Sequence, residues 1–283
     1  MRLANLHGRA TLVLDEGIID VAEASKGQFS SSTDVIVGQL TDLDRWLRSE
    51  KPEIGDFTTP VHVALDPGLG PVVSRPSQVF AIGLNYRTHA KEMGFTLPSK
   101  PMVFTKFTSS LAGANASFEV ASERTDYEAE LVVVIGKQGR RISTDDALSH
   151  VAGYCVGQDL SDRELQLAGS PAQFSLGKSY EHYSPLGPWL TSADEVTNPN
   201  RLKISCSLNE VVMQDASTSD MVFSIAQLVS YLSSVVEVYP GDIIFTGSPD
   251  GVGQGRTPPV FLKSGDVLET TIEGLGTIRN AAT

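Results

Sequence analysis

The chain has 283 residues, of which 41% are hydrophobic and 20% charged, and its net charge is -12 with a pI near 4.8. This composition is typical of a globular protein rather than a disordered one, and the acidic balance argues against nucleic acids and anionic membrane surfaces as partners. An anionic substrate would therefore require local positive charge, from a metal ion or from buried Lys and Arg side chains.

The first 72 residues predict a small leading α/β module. Residues 10–24 contain two apolar runs around an Asp-Glu-Gly turn and predict two strands, and residues 41–50 predict a short helix with Thr41 as its N-cap. Residues 65–77 are rich in Pro and Gly and cannot continue a helix, so they predict a connector. We therefore divide the chain into a small N-terminal module, residues 1–72, and a main domain, residues 73–283.

The residues after the connector predict many short strands and few helices. Strand-like apolar runs cover 79–86, 101–107, 127–137 and 151–160, and a short helix is expected at 143–150. Because there is no regular alternation of strands with helices, the pattern predicts an α+β, mainly β architecture rather than a doubly wound sheet.

The C-terminal part contains the clearest hairpin and the clearest helix. Residues 203–208 and 211–215 flank Asn209-Glu210 and predict a tight hairpin, whose turn type stays open because positive φ is common at the position of Glu210. Residues 225–236 have apolar side chains at helical spacing after Ser224, a suitable N-cap. Short strands punctuated by glycine are expected from 241 to 280.

The cysteine content and the absence of an apolar leader predict a cytoplasmic protein. Cys155 and Cys206 lie in apolar stretches, which indicates buried free thiols rather than a disulfide framework. No apolar run approaches the ~20 residues that a membrane helix needs, and the first residues lack the core of a signal peptide.

Glu128 and Glu130 are candidate metal ligands because residues two apart on a strand point to the same face. Adjacent carboxylates repel each other unless positive charge lies between them, and a divalent cation would supply it. The alternative is the solvated face of an antiparallel strand, which the following Val132 and Val134 disfavour. Asp159, at the end of an apolar strand, is the candidate third ligand, or alternatively an N-cap.

His89 and Glu92 are candidates for acid–base chemistry. On a helix, residues three apart can hydrogen-bond, and a Glu that orients a His gives a general base that titrates near neutrality. The alternative is a surface His beside a surface Glu.

Lys178 and the loop of residues 246–249, Thr-Gly-Ser-Pro, are candidate substrate-binding features. Lys178 lies in a segment rich in aromatic residues and could bind a carboxylate or stabilise an oxyanion, although most lysines are exposed. The loop follows an apolar strand, and its backbone N–H groups could bind a carboxylate with help from Thr246 or Ser248. A plain hairpin loop is the alternative.

Six segments occur in an order that is specific to one family: GLNYRTHAKE, DYEAELVVVIGK, GQDLSDRELQ, GKSYEHYSPLGP, QDASTSDMVFSIAQLVSYLS and GDIIFTGSPDGVG. From about Val79 to Asn280 the chain resembles the fumarylacetoacetate hydrolase family, especially its short bacterial members that include acylpyruvate hydrolases. It departs from the family pattern in the loop TGSP, where TGTP is usual, and in Asn209-Glu210, where Asn-Gly is usual.

The resemblance implies a fold, an ion and a set of roles. The fold is a mixed β-sandwich roll, usually assembled as a homodimer. The ion is Mg²⁺ or Mn²⁺, with three carboxylate ligands: Glu128, Glu130 and Asp159. The resemblance further implies that His89 and Glu92 form a water-activating dyad on a segment that can order over the site. It implies that Lys178 and Gln166 stabilise an oxyanion. It also implies that the substrate carboxylate is bound by Thr246, Gly247 and Ser248.

The implied reaction is the metal-dependent hydrolysis of a C–C bond in a 2,4-dioxo acid, such as an acylpyruvate or a fumarylacetoacetate-like compound, in aromatic or sugar-acid catabolism. The same residues would support decarboxylation of oxaloacetate, or isomerisation or decarboxylation of hydroxymuconate-type diacids, because these reactions need an enolate but no attacking water. A non-catalytic binding protein on this fold is a further alternative, which the retention of all the implied site residues disfavours.

Overall fold

The structure, a computed structural model, describes residues 1–283 and contains sixteen β-strands and eight short α-helices. The strands are β1 (Arg2–Leu6), β2 (Arg9–Val13), β3 (Ile18–Asp20), β4 (Val79–Gly83), β5 (Met102–Thr105), β6 (Leu111–Ala112), β7 (Thr125–Asp126), β8 (Ala129–Ile135), β9 (Val151–Gln158), β10 (Ser161–Asp162), β11 (Ser184–Ser192), β12 (Lys203–Leu208), β13 (Val211–Ser217), β14 (Ile243–Phe245), β15 (Val267–Ile272) and β16 (Gly276–Ala281). The helices are α1 (Val21–Ala24), α2 (Thr33–Ile36), α3 (Leu40–Glu50), α4 (Pro60–Ala64), α5 (Arg87–Glu92), α6 (Arg163–Leu167), α7 (Phe174–Gly177) and α8 (Ile225–Val235). None of these helices combines the length and the hydrophobicity needed to cross a lipid bilayer.

Two sheets form the framework of the molecule. The main sheet has ten strands in the order β3-β2-β1-β11-β9-β8-β14-β4-β5, with β6 paired to β11. It is a mixed sheet, because β14 runs parallel to β4 and β6 parallel to β11 while the other neighbours are antiparallel. The second sheet is antiparallel, has the order β13-β12-β15-β16 and packs against the main one. The predicted α+β, mainly β class is confirmed.

Burial explains why the central strands are apolar and the outer ones alternate. Every residue of β8 and β9 is buried, which agrees with their almost unbroken apolar sequences, because both faces of the main sheet are covered at this point. In β15, by contrast, every second residue is buried, so that one face packs on the main sheet and the other faces solvent.

The predicted hairpin and the predicted C-terminal helix are present. Asn209 and Glu210 have φ values of 48° and 69°, the type I′ conformation that two-residue hairpins favour. This settles the turn type, and Glu210 adopts it without being glycine. Ser224 caps α8 in a capping box with Gln227, as the sequence predicts.

Two local predictions are wrong in detail. Helix α3 begins at Leu40 and is preceded by Gln39, so Thr41 lies inside the first turn and is not the N-cap. Burial of Leu43 and Trp46 on the main sheet, rather than a capping side chain, fixes this helix. The helix expected at 143–150 is only a 3₁₀ turn over its last four residues.

The N-terminal strands continue the main sheet. Strand β1 pairs with β11, with Leu3 opposite Leu190, and Leu3 and Leu12 belong to an apolar cluster shared with Val134. Residues 65–77 contain neither helix nor strand, apart from one isolated bridge at Leu69. The boundary at residues 72 and 73 therefore stays a prediction, while the first 72 residues share a sheet and a core with the rest.

Candidate metal centre and active site

Three buried carboxylates meet where β8 and β9 lie side by side in the main sheet. Glu128 directly precedes β8, Glu130 is the second residue of β8, and Asp159 directly follows β9. The two strands are antiparallel, and the Asp159 N–H donates to the Glu128 carbonyl at 2.9 Å, which brings these positions together. One oxygen from each carboxylate lies within 4.8 Å of the others, close enough for one cation to contact all three.

Lys178 connects two of these carboxylates. Its Nζ donates to Glu128 Oε2 at 2.8 Å, to Asp159 Oδ2 at 2.7 Å and to Ser161 Oγ at 2.8 Å. The side chain is 2% exposed, so the alternative of a solvated loop lysine is wrong. Burial alone would lower the pKa of Lys178, but the charges of Asp159 and Glu128 raise it, so the ammonium form is kept.

Lys106 is a second buried cation at the site. It follows β5 directly, its side chain has no exposed area, and its Nζ donates to Asp159 Oδ1 and to the backbone carbonyl of Lys178. Both oxygens of Asp159 are therefore bound by lysine, and Lys106 ties β5 to the segment that carries Lys178.

Arg163 completes the positive charge around the site. At the start of α6, its Nη2 donates to Glu128 Oε1 at 2.7 Å and to Asp126 Oδ2 at 2.7 Å, and its Nη1 donates to Gln166 Oε1 at 2.9 Å. Burial alone would raise the pKa of Glu128, but the charges of Lys178 and Arg163 hold it below its usual range. Glu128 is therefore a carboxylate that stays ionised.

Glu130 is the one carboxylate of the site without a cationic partner within salt-bridge distance. Its Oε2 accepts the N–H of Gly247 at 2.7 Å, and burial together with the charges of Asp159 and Glu128 raises its pKa well above the usual value. When all of these groups are ionised, four buried carboxylates (Asp126, Glu128, Glu130 and Asp159) face three buried cations (Lys106, Lys178 and Arg163), and one negative charge is left uncompensated. A divalent cation would neutralise it, and an all-oxygen donor set suits Mg²⁺ or Mn²⁺.

His89 and Glu92 form a pair on α5 over the same site. His89 Nδ1 lies 3.2 Å from Glu92 Oε2, and Glu92 Oε1 accepts the N–H of Gly251 at 2.9 Å. Because an ionised carboxylate only accepts, Nδ1 carries the proton and Nε2 is left as the basic nitrogen. His89 is 8% exposed, so the alternative of a surface pair is wrong.

The segment between β4 and α5 has an unusual backbone conformation. Leu84 has a φ of 55°, a left-handed conformation that is rare for a bulky residue. The next residue, Asn85, is fully buried and donates to the carbonyls of Phe223 and Thr246. Strained backbone that surrounding bonds hold in place is typical of functional sites, and here it precedes the helix of His89.

A close contact between α6 and α7 places Gln166 beside the lysine site. A Cβ at Gly177 would lie 2.5 Å from the backbone nitrogen of Gln166, so only glycine permits α7 to approach α6 this closely just before Lys178. The side-chain carbonyl of Gln166 accepts from Arg163, which is the one hydrogen bond of this side chain, so its amide nitrogen donates to no protein acceptor. Gln166 can therefore donate to a ligand, whereas Lys178 has all three donors in use.

The loop of residues 246–249 supports the carboxylates more than it faces the cavity. The Thr246 hydroxyl donates to the Leu131 carbonyl at 2.8 Å, and the Gly247 N–H donates to Glu130. Of the three residues expected to bind substrate, only Ser248 lines the cavity, where its Oγ accepts from Gln214 at 2.9 Å. Ser248 is therefore the one residue of the three whose side chain is placed to contact a ligand in the cavity, because the other two polar groups are bound within the protein.

A cavity of about 310 Å³ lies against this site and is lined by both polar and apolar side chains. Its polar lining consists of His89, Glu128, Arg163, Gln166, Lys178, Ser248 and Gln254. Its apolar lining includes Met93, Phe95, Met102, Phe104 and Phe174. A larger cavity of about 480 Å³, beside Met1 and α3, contains none of the candidate site residues.

The sequence analysis missed two cations and one carboxylate at this site. Arg163 stands between Asp162 and Glu164, a pattern typical of an exposed helix start, and Lys106 stands between exposed residues at the end of a strand. Asp126 lies just before β8, and the sequence around it does not distinguish it from other aspartates. The only available signal was that Asp126 and Arg163 lie within two of the six ordered segments.

Comparisons with known proteins match most of the chain to one family. Residues 78–283 match the model of the fumarylacetoacetate (FAA) hydrolase C-terminal family. A mitochondrial oxaloacetate tautomerase of Bos taurus is 45% identical over 210 residues, which cover 74% of this chain and 67% of the relative. An oxaloacetate tautomerase of Bacillus subtilis (strain 168) is 39% identical over 287 residues, which cover 95% of this chain and 94% of the relative.

Solved structures show the same fold. The crystal structure of a protein from Mycobacterium smegmatis is 42% identical and superposes with a TM-score of 0.93, covering 100% of this chain and 99% of that one. A maleylpyruvate hydrolase from Sphingobium sp. SYK-6, in complex with manganese(II) and pyruvate, is 26% identical with a TM-score of 0.79, covering 100% of this chain and 99% of that one. The predicted fold of the family is confirmed.

Proposed function

Because the chain belongs to the fumarylacetoacetate hydrolase family, we propose that it is a divalent-metal enzyme that interconverts the keto and enol forms of a small 2-oxo acid, with oxaloacetate as the substrate. One observation carries the proposal: His89, which pairs with Glu92, and Glu128, which belongs to a cluster of three buried carboxylates, line the same small cavity. The names of the relatives from Bos taurus and Bacillus subtilis support the choice of oxaloacetate.

Glu128, Glu130 and Asp159 would hold Mg²⁺ or Mn²⁺. When bound, the ion supplies a Lewis acid that polarises the 2-oxo group and makes a proton on C3 more acidic. The cavity volume of about 310 Å³ fits a small acid.

Tautomerisation moves protons without any gain or loss of heavy atoms. In the keto-to-enol direction the C3–H bond breaks and an O–H bond forms on the 2-oxo oxygen. His89 Nε2 takes the C3 proton, Glu92 stabilises the imidazolium through the Nδ1 bond, and the imidazolium then gives this proton to the 2-oxo oxygen, which forms the O–H bond. Gln166 donates to the oxygen through its free amide N–H, while Lys178 contributes positive charge and donates only after it releases one of its present acceptors.

Hydrolysis of a C–C bond in a 2,4-dioxo acid is the second candidate. Two observations favour it. One of the structural relatives is a maleylpyruvate hydrolase, and the apolar side chains that line the cavity could hold an acyl group. In this reaction His89 takes a proton from water and Gln166 stabilises the oxyanion that forms on the attacked carbon. Decarboxylation of oxaloacetate and isomerisation of hydroxymuconate-type diacids require the same enolate and serve as further arms of the test.

The test follows ketonisation of enol-oxaloacetate by its ultraviolet absorbance, with Mn²⁺, with Mg²⁺ and with a chelator. Parallel assays follow pyruvate release from oxaloacetate and from acylpyruvates, and isomerisation of a hydroxymuconate-type diacid. We expect metal-dependent ketonisation that falls about 100-fold or more in His89→Ala. His62→Ala, an exposed histidine on α4, is the matched control. Wild-type protein that accelerates only pyruvate release from acylpyruvates would favour the second candidate, and wild-type protein that accelerates none of these reactions would leave a binding role.

A further inference from the structure

The turn before α8 contacts the helix that carries His89. Asp220 lies in a 3₁₀ turn, Thr218–Asp220, and has no contact with the carboxylates or the cavity. Its Oδ2 accepts the Thr88 N–H at 2.9 Å and the Thr88 hydroxyl at 2.7 Å. Arg87 Nη1 donates to the carbonyls of Asp220 and Met221 at 3.0 and 2.7 Å. One carboxylate and two carbonyls therefore bind the first two residues of α5.

Helix α5 depends on such contacts because it is short. It has six residues, whereas an isolated helix in water needs ~12–15 residues to be even marginally stable. At its far end, Glu92 is bound by the N–H of Gly251. At its start, Thr88 has no helical partner for its N–H, and Asp220 supplies the acceptor.

The contacts at the start of α5 differ in how accessible they are. Asn85 is fully buried and binds Phe223 and Thr246, so it belongs to the core of the domain. Arg87 and Thr88 are exposed, and Asp220 is partly exposed. His89 and Ala90, on the opposite side of the helix, are buried. Water can therefore compete for the Asp220 bonds, while the Asn85 bonds persist.

We propose that Asp220 is a positioning residue: by accepting from Thr88 it fixes the start of α5 and so holds His89 over the cavity. The inference rests on the proposed function, in which His89 is the base. Its prediction is specific, because loss of Asp220 should loosen α5 alone and leave the carboxylates on β8 and β9 in place.

The experiment compares Asp220→Ala, Asp220→Asn, Thr88→Val and the double variant Thr88→Val/Asp220→Ala with wild type. Asp215→Ala is the matched control, since Asp215 is an exposed carboxylate on β13 whose ion pair with Lys203 lies outside this contact. Three quantities are measured: kcat/KM for the active substrate, the dissociation constant for Mn²⁺, and hydrogen exchange of the amides of residues 87–94 compared with those of β8 and β9.

For Asp220→Ala, which removes both hydrogen bonds from Thr88 to a charged group, we expect kcat/KM to fall about tenfold or more. Exchange at residues 87–94 should become faster, with unchanged protection in β8 and β9 and Mn²⁺ affinity within about twofold of wild type. Asp220→Asn retains one acceptor and should show a smaller loss. The double variant should lose no more than Asp220→Ala, because both changes remove the same contact.

Two results overturn the proposal. One is wild-type kcat/KM and wild-type protection of residues 87–94 in Asp220→Ala. The other is faster exchange that extends to β8 and β9 together with weaker Mn²⁺ binding, which would mean a general structural role. Exchange and Mn²⁺ binding need no substrate, so a wild-type protein that turns over none of the tested acids refutes the proposed reaction without affecting this test.

Discussion

At the scale of single residues, Glu130 carries the charge that the protein itself does not neutralise. It has one hydrogen bond, from Gly247, while Glu128 and Asp159 are each bound by two cationic side chains. A buried charge without a partner destabilises the folded state, and a bound cation removes that penalty. Ion binding and folding should therefore be coupled through this residue.

Glu130→Gln separates these two effects. We expect the metal-free variant to be at least as stable as metal-free wild type, because a buried amide needs neither a counter-charge nor a bound proton, while Mn²⁺ no longer raises its Tm. Calorimetric melting with and without Mn²⁺ measures both, and Glu53→Gln, an exposed carboxylate, is the control. A variant that Mn²⁺ still stabilises as much as wild type would show that Glu130 is not a ligand.

The raised pKa of Glu130 also predicts how ion binding depends on pH. The ion binds the ionised carboxylate, so a proton competes with it, and affinity should fall as the pH falls through the raised pKa. In the metal-free protein, Glu130 favours the folded state at pH values below its unfolded pKa, and this contribution is lost as pH rises through its folded pKa. Both effects therefore make the stabilisation of the protein by the ion larger as the pH rises.

The increase in Tm on adding Mn²⁺ should therefore grow as the pH is raised from acidic to neutral values. Melting curves at a series of pH values and one fixed Mn²⁺ concentration measure it. An increase that stays constant across the series would contradict the assignment of Glu130 as the competing group.

The carboxylates were predictable from the sequence at this scale, but their counter-charges were not. Glu128 and Glu130 are two residues apart in an apolar strand, a local pattern that already implies a shared face. Lys106 is buried because β5, which it follows, lies beside segments that are distant from it in the sequence. A lone lysine in a sequence is normally exposed. Pairing between residues 53 positions apart, as for Lys106 and Asp159, leaves no local pattern.

At the scale of elements, the contact of α6 with α7 controls the position of Lys178. Gly177→Ala would place a Cβ 2.5 Å from the Gln166 nitrogen and 2.9 Å from the Asp162 carbonyl, so one helix must move. We expect the free energy of unfolding to fall by about 1–3 kcal/mol and kcat to fall with it. Urea denaturation and the assay that identifies the substrate measure these effects.

Gly55→Ala is the control for this variant, because its Cβ would meet no atom closer than 3.9 Å. Wild-type stability and kcat in Gly177→Ala would mean that α7 can shift without cost, contrary to the packing described above.

The elements that the sequence predicted well are those whose pattern is local. Strands β8 and β9 and helix α8 follow from apolar runs, helical spacing and the capping Ser224. The start of α3 was misjudged because packing on the main sheet, rather than a capping residue, fixes it, and the turn at 147–150, which packs against α8, was misjudged as a longer helix. Propensity gives way to tertiary contacts in such short elements.

At the scale of the whole molecule, the first 72 residues complete the main sheet. Without β1, strand β11 would become an exposed edge, and the apolar cluster that contains Val134 and Leu190 would lose its cover from Leu3, Leu12 and Leu43. No local pattern could predict this pairing, because β1 and β11 are almost two hundred residues apart in the sequence.

We therefore expect residues 73–283 alone to be insoluble or to lack cooperative unfolding. Leu3→Ala in the full chain should lower the free energy of unfolding by about 2–5 kcal/mol, since Leu3 is fully buried. Circular dichroism melting measures both. Cooperative unfolding of the truncated chain at the wild-type Tm would instead establish the boundary at residues 72 and 73 as that of an independent domain.

The division between a buried sheet that carries the carboxylates and a short, partly exposed helix that carries His89 has an evolutionary consequence. Substitutions in α5 and in the residues after it can reshape the apolar lining of the cavity while the sheet and its carboxylates stay unchanged. Relatives with a common ancestor could thus come to act on different substrates without changes in the buried sheet. Such divergence would produce relatives of one fold that are named as a tautomerase and as a hydrolase.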